Sequence, residues 1–251
     1  MWKALRILLL LSVLLYVAVD TWRDQNKNWN QATIVLLHPI NADGRTSTQQ
    51  YINRLNLSQF QEASEYLQKN AEKIRGKSTA FYFQMGREIR QTPPKVPEGN
   101  MLDAILWSLK FRYYAWKQHQ SSDGHPSVTL YLNYYDPQTT NMLKHSTALE
   151  KGRIGAVNLF ASTKQENQNN IVLTHELLHA FGATDKYDLS TGQPIFPIGY
   201  VNPQQQPLYP QHKAEIMAGY IPLSKTTNKM PDNLAHTIIG QETAKEVGWT
   251  K

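Results

Sequence analysis

Two histidines, a glutamate and an aspartate in one short segment carry most of the chemistry open to this chain. Residues 175–185 read His-Glu-Leu-Leu-His-Ala-Phe-Gly-Ala-Thr-Asp. On a helix, His175 and His179 stand four residues apart and project from one face. Two imidazoles at that spacing can bind one zinc ion, with Glu176 in reach of a water polarised by the metal. Gly182 breaks the helix where a left-handed turn is easy only for glycine. Asp185 follows three residues later and can swing back as a third, oxygen ligand. Three protein ligands and one place left for water describe a catalytic zinc, whereas a structural site is closed by a fourth ligand. The 251-residue chain has no cysteine, so thiolate-rich structural zinc is excluded. The chemistry indicated is metal-assisted hydrolysis, most often of peptide bonds.

The elements around the motif must bury it. Ile171, Val172 and Leu173 precede it, and Leu177, Leu178, Ala180 and Phe181 interleave with it. A helix apolar on several faces is a core helix. Polar groups inside it need partners, since unpaired ones are costly. Zinc supplies one; ordinary hydrogen bonds to two core histidines are the plainer alternative.

The pattern HExxHxxGxxD resembles the metzincin clan of zinc endopeptidases, in the variant with aspartate as third ligand. Glu215-Ile216-Met217-Ala218-Gly219-Tyr220 is similar to the clan's methionine-containing turn. The resemblance is specific over 175–220. It implies an α+β fold: a twisted mixed sheet, an active-site helix, a Met-turn and a C-terminal helix. It implies Zn2+ on His175, His179 and Asp185, Glu176 as general base, Met217 beneath the ligands and Tyr220 near the metal. Taken alone, Met217 reads as core filling. By the same resemblance Gly155, Ala156, Val157 and Asn158, just ahead of the active-site helix, form the sheet edge that a peptide substrate joins as an added strand. An edge strand facing water is the other reading of that segment. Two other functions stay open: a gluzincin-type peptidase with Glu215 as third ligand, and a non-catalytic module that keeps the zinc fold. Glu176 weighs against the second, because binding alone requires no general base.

Lys plus Arg number 26 against 20 Asp plus Glu, for a net charge of +6. The excess is spread along the chain, so no nucleic-acid footprint is expected. Lys3 and Arg6 precede an apolar run over 7–19 interrupted only by Ser12. That order predicts an export signal, uncleaved because no small-x-small site follows it, with Tyr16 and Trp22 placed to sit at a membrane interface. The run is shorter than the roughly 20 residues of a comfortable span. The expected organisation is a signal anchor or signal peptide at 1–22, a polar tether at 23–31 and a catalytic domain at 32–251. The domain is placed in the periplasm or outside the cell, acting on a protein or peptide.

Within the domain, strands are expected at 33–40, 80–89, 127–135 and 154–160. A helix opens at Ser58 with Gln61 in a capping-box pattern and ends at Gly76. A second is capped near Asn100. A third starts at Asp232 or Asn233, carries Leu234, Ile238, Ile239, Ala244 and Val247, and stops at Gly248. The proline-rich stretch between Asp188 and His212 reads as a cleft wall holding Tyr200 and Tyr209 near the metal, or as a solvated loop. Asp188, Ser190 and Thr191 are too weak a cluster for calcium. Of the remaining histidines (His38, His119, His125, His145, His212 and His236), none has ligand spacing; His212 is the one nearest the Met-turn.

Overall fold

A computed structural model describes residues 2–25, 27–150 and 152–250. The chain runs α1 (Trp2–Gln25), β1 (Thr33–Asn41), α2 (Thr46–Ile52), α3 (Gln61–Arg75), β2 (Phe81–Met85), α4 (Met101–Gln118), β3 (Val128–Tyr135), β4 (Thr147–Leu149), β5 (Ile154–Phe160) and α5 (Glu166–Ala180). Short elements follow: β6 (Ala214–Glu215), β7 (Ile221–Pro222), β8 (Asn228–Lys229), β9 (Thr237–Ile238) and α6 (Gln241–Glu246).

The main sheet has the order β2-β1-β3-β5-β4. Its first four strands are mutually parallel, and β4 alone is antiparallel, to β5. Helices and strands alternate along the chain and the helices cover both faces. This is a mixed α/β arrangement with a mixed sheet, more interleaved than the segregated layers α+β implies. Near-continuous apolar runs in β1 and β3 fit strands buried on both faces.

Alternate residues divide two cores. Val35, Leu37, Leu130, Leu132 and Val157 face α3 and α5, meeting Ala63, Leu67, Leu177 and Leu178. Ile40, Tyr131 and Ala156 point the other way, onto Phe111 and Tyr114 of α4. α4 starts on a capping box, with Asn100 accepting from the backbone of Leu102 and Asp103. It is held over its face by Tyr114 Oη donating to Gln91 O at 2.6 Å and Trp107 Nε1 to Pro94 O at 2.9 Å.

Four expectations need correction. β2 ends at Met85, four residues early: a Cβ on Gly86 would lie 2.5 Å from the His38 ring, so the chain passes that ring as close-packed irregular backbone. The expected C-terminal helix is a single turn over 234–236, then β9, then the six-residue α6. A β-branched run at Thr237, Ile238 and Ile239 favours extended backbone, and Gly240 resets the chain. The 23–31 segment is more than a tether. Trp29 is buried against Phe81, Phe181 and Trp249, and donates Nε1 to Val247 O at 2.9 Å. Finally, Gly155, Ala156, Val157 and Asn158 are not at the sheet edge. β5 is paired to β3 on one side, and β4 covers its other side through Thr147↔Ala156, Ala148↔Gly155 and Leu149↔Ile154.

Among the described residues no helix is long and apolar enough to cross a membrane. The side chains of Tyr16 and Trp22 lie outside the described residues.

Candidate metal centre

α5 presents His175 and His179 one turn apart from a helix otherwise buried by Leu173, Leu177, Leu178 and Ala180. Past its C-terminus, Gly182 has φ of 93°, and a Cβ there would meet the Glu150 carboxylate at 2.6 Å. Glycine is therefore required by conformation, and the Glu150 carboxylate packs into the space its missing Cβ leaves. The turn sends Asp185 back across the two imidazoles. Asp185 Oδ1 lies 3.2 Å from His175 Nε2 and 3.1 Å from His179 Nε2, and the two nitrogens are 3.0 Å apart.

Ligand atoms at a tetrahedral zinc stand about 3.3 Å from one another for bonds near 2.05 Å. This triangle is close to that. Its outer contacts strengthen the case. His175 Nδ1 faces Ile216 O at 3.0 Å and His179 Nδ1 faces Ala183 O at 2.7 Å. A carbonyl can only accept, so each Nδ1 carries a proton and each Nε2 points inward, where its lone pair would be free for a cation. Two ring nitrogens and a carboxylate oxygen then converge on one point, and a bound cation would satisfy all three in place of a proton.

The ionisation behaviour reports the same deficit. Burial disfavours the His175 imidazolium, but the Asp185 hydrogen bond and the Glu176 charge outweigh it and carry the group to about 9. Burial likewise works against the Asp185 anion, yet its two imidazole partners hold it well below the ordinary carboxylate range. Glu176 is pushed up by burial. One of its oxygens, Oε2, is buried with no hydrogen-bond partner. Its carboxylate lies within 4.8 Å of the ligating nitrogens of both histidines. Glu176 therefore stands with the two histidines as a carboxylate at the same centre, beside Asp185. The residues present thus fit a zinc ion held by His175, His179 and Asp185.

Two supports set this geometry. Beneath the helix, Glu215 is almost fully buried. Its Oε2 accepts from Met217 N (2.6 Å) and Ala218 N (3.0 Å), and its Oε1 from Gly240 N (3.0 Å) and Thr243 Oγ1 (2.7 Å). It ties α6 to the turn whose Ile216 carbonyl orients His175. Fully occupied by these donors, Glu215 is no third ligand, and the gluzincin expectation falls. Met217 is wholly buried in this turn, and its carbonyl accepts from Lys186 N at 2.9 Å. Beside the helix, Glu246 of α6 grips the loop bearing Asp185. It accepts from Thr184 N (2.9 Å), Thr184 Oγ1 (2.6 Å) and the buried Lys186 Nζ (2.6 Å).

Tyr187 is a site residue that sequence reasoning missed. It lies beside Asp185, and burial together with the charges of Asp185 and Glu176 and the neighbouring Tyr220 pushes its phenol up to about 12. The available signal was its position two residues beyond Asp185 in extended backbone, which returns a side chain to the same face. Tyr220 stands half exposed beside it. His145, exposed just ahead of β4, sits near enough to Glu176 for its charge to be felt there; nothing in the local sequence indicated that. Tyr200 and Tyr209 bond each other at 2.9 Å rather than any metal-site residue. Asp188 is consumed by its own turn, accepting from Ser190 and Thr191. His212 is exposed and outside the cluster.

No family model matches the chain, and no curated protein matches it. Among solved structures, a chaperone–substrate complex aligns with TM-score 0.41 and 12% identity, over 86% of this chain and 33% of that one. The chain therefore spans about a third of that protein. A zinc-dependent peptidase from Methanocorpusculum labreanum (strain Z) aligns with TM-score 0.30 and 11% identity, over 64% of this chain and 85% of that one. Likenesses so distant carry no argument about the site, which rests on its own residues.

Proposed function

We propose that the chain is a zinc-dependent endopeptidase of metzincin type, with His175, His179 and Asp185 as ligands and the 216–218 turn as its Met-turn. The observation that carries this reading is the convergence of three acceptors, both imidazole tautomers fixed by carbonyls, next to a buried carboxylate with an unpartnered oxygen. Zinc, when bound, supplies a Lewis acid that polarises the scissile carbonyl and acidifies water. Glu176 takes a proton from that water through its free oxygen and hands it to the leaving amine. Burial helps, because it raises the Glu176 carboxyl above its ordinary range and makes it a stronger proton acceptor. Tyr187 borders Asp185, and Tyr220 is the hydroxyl assigned to the developing oxyanion.

The sheet edge open to an extended peptide belongs to β4, which packs against α5, so strand addition is assigned to Thr147, Ala148 and Leu149. Export and membrane attachment through α1 belong to the same proposal, resting on Lys3 and Arg6 ahead of the apolar run. A purified sample analysed for metal and incubated with a mixed peptide library tests the whole reading. Stoichiometric zinc and cleavage are expected, with Glu176→Gln keeping the metal and losing about 100- to 10,000-fold in rate. Cleavage undiminished in Glu176→Gln, or a parent protein without zinc, refutes it.

A further inference from the structure

α4 is apolar on two opposite sides. Trp107, Phe111 and Tyr114 face the sheet, as a core-covering helix requires. On the far side Leu102, Ile105, Leu106, Leu109, Tyr113 and Trp116 are 50–72% exposed. At about 100° per residue these six fall within an arc of roughly 100°, a single stripe running most of the helix length. An apolar stripe of that extent on a folded domain marks a binding surface rather than scattered surface hydrophobes.

The charges around it select the partner. On the same helical projection Lys110 and Lys117 border one edge of the stripe and Arg112 borders the other. The helix's acidic residue, Asp103, is engaged at the N-terminus in the Asn100 capping box. Aliphatic side chains along the stripe, an aromatic pair at one end and two exposed lysines on one edge make the pattern of a helix lying in a lipid headgroup plane, while the half-buried Arg112 turns its guanidinium to Gly152. Lys and Arg stems snorkel from such a position toward lipid phosphates, while Trp and Tyr settle at the water boundary. A second copy of this chain docked on the same face would bring basic edges against basic edges.

We propose that α4 is a second, lateral membrane contact: its exposed stripe lies in the outer leaflet of an anionic bilayer, parallel to the surface, with Lys110 and Lys117 on lipid phosphates. The inference rests on the export and α1 attachment proposed above, and not on the peptidase chemistry. It has a consequence for any activity of the domain, because α4 covers the sheet face opposite α5. A domain resting on α4 is held in one orientation on the membrane.

The absence of native cysteine allows a direct test. Full-length protein carrying Leu109→Cys, or separately Trp116→Cys, is labelled with an environment-sensitive fluorophore and reconstituted into phosphatidylglycerol–phosphatidylcholine vesicles. Glu72→Cys on exposed α3 is the control. The expected result at both α4 positions is a blue shift, quenching by nitroxide-bearing lipids, and protection from aqueous iodide; the control shows the reverse. The α4 signal weakens in pure phosphatidylcholine vesicles and in a Lys110→Gln, Lys117→Gln background. Iodide quenching without nitroxide quenching means the face is open to water and overturns the proposal. Protection from both quenchers means protein covers the face and overturns it too. Pyrene excimers at Trp116→Cys then distinguish a second copy from another segment of the same chain.

Discussion

Glu215→Ala is the substitution that most directly tests how this site is built. The carboxylate satisfies three buried backbone N–H groups, those of Met217, Ala218 and Gly240, together with the Thr243 hydroxyl. Each orphaned N–H costs about 1–3 kcal/mol, for about 3–9 kcal/mol in all, while the hydroxyl can turn to another acceptor. Removing a buried carboxylate also relieves several kcal/mol of desolvation. A net loss of about 2–5 kcal/mol is the expectation, a large share of the roughly 5–15 kcal/mol of a typical domain. Glu215→Gln is the milder companion. Its amide oxygen can keep Met217 and Ala218, its nitrogen then faces Gly240 N–H, and Thr243 can reverse to accept, so about 1–3 kcal/mol is lost. Urea unfolding of zinc-free protein gives both numbers, with the m-value unchanged. Zinc competition with a chelating dye gives the second readout. Freed of its anchor, the Ile216 carbonyl no longer orients His175, and affinity falls by roughly 10–100-fold, as for outer-shell partners. The reasoning is refuted if Glu215→Ala abolishes zinc binding while leaving stability within about 0.5 kcal/mol of the parent. That outcome would make Glu215 a ligand.

Asp185→Asn removes the anion from the triangle while preserving shape, and should weaken zinc binding by more than the roughly 10–100-fold expected for Tyr187→Phe, which acts through Asp185; the same dye competition ranks the two, and a reversed order removes Asp185 from the ligand set. Trp29→Ala empties a buried ring site shared with Phe81, Phe181 and Trp249 and should cost about 3–5 kcal/mol in urea unfolding; a loss under about 1 kcal/mol would show that the folded unit starts beyond this segment. His38 is buried, bonded through Nδ1 to Arg87 O at 2.8 Å, stacked on Tyr131, and faced by Asp123 at 3.9 Å with His119 beyond. Burial lowers its pKa below the ordinary 6.5, so the unfolded chain takes up a proton first and stability falls as pH drops from about 6.5 through the folded value. His38→Gln should flatten that part of the stability–pH profile, and an unchanged slope would assign it to other groups.

The motif was legible in the sequence because its spacing is local. His175, Glu176 and His179 share one helical turn, and Gly182 follows at a place where a positive φ is required. Helical periodicity and glycine's lack of a Cβ act over a few residues, so no long-range information was needed to place the imidazoles or to bring the chain back to Asp185. The cap near Asn100 and the strands over 127–135 and 154–160 were readable for the same reason, whereas the capping box expected at Ser58 and Gln61 is formed by Asn56 and Gln59.

What surrounds them was decided by contacts distant in sequence. β5 left the edge because β4, a three-residue strand with no pattern of its own, pairs with it. Glu215 changed from possible ligand to buried anchor because Gly240 and Thr243 meet it from α6, and the same meeting shortened the expected C-terminal helix. Tyr187 and His145 joined the site only through the fold. Trp29 looked like part of a polar linker until Phe81, Phe181 and Trp249 closed around it. The sequence by itself determined which side chains could bind a metal and the local geometry that offers them; tertiary structure alone decided which buried donors, carbonyls and neighbouring rings fix their protonation and direction, because hydrogen-bond satisfaction in a core is settled between elements and not within them.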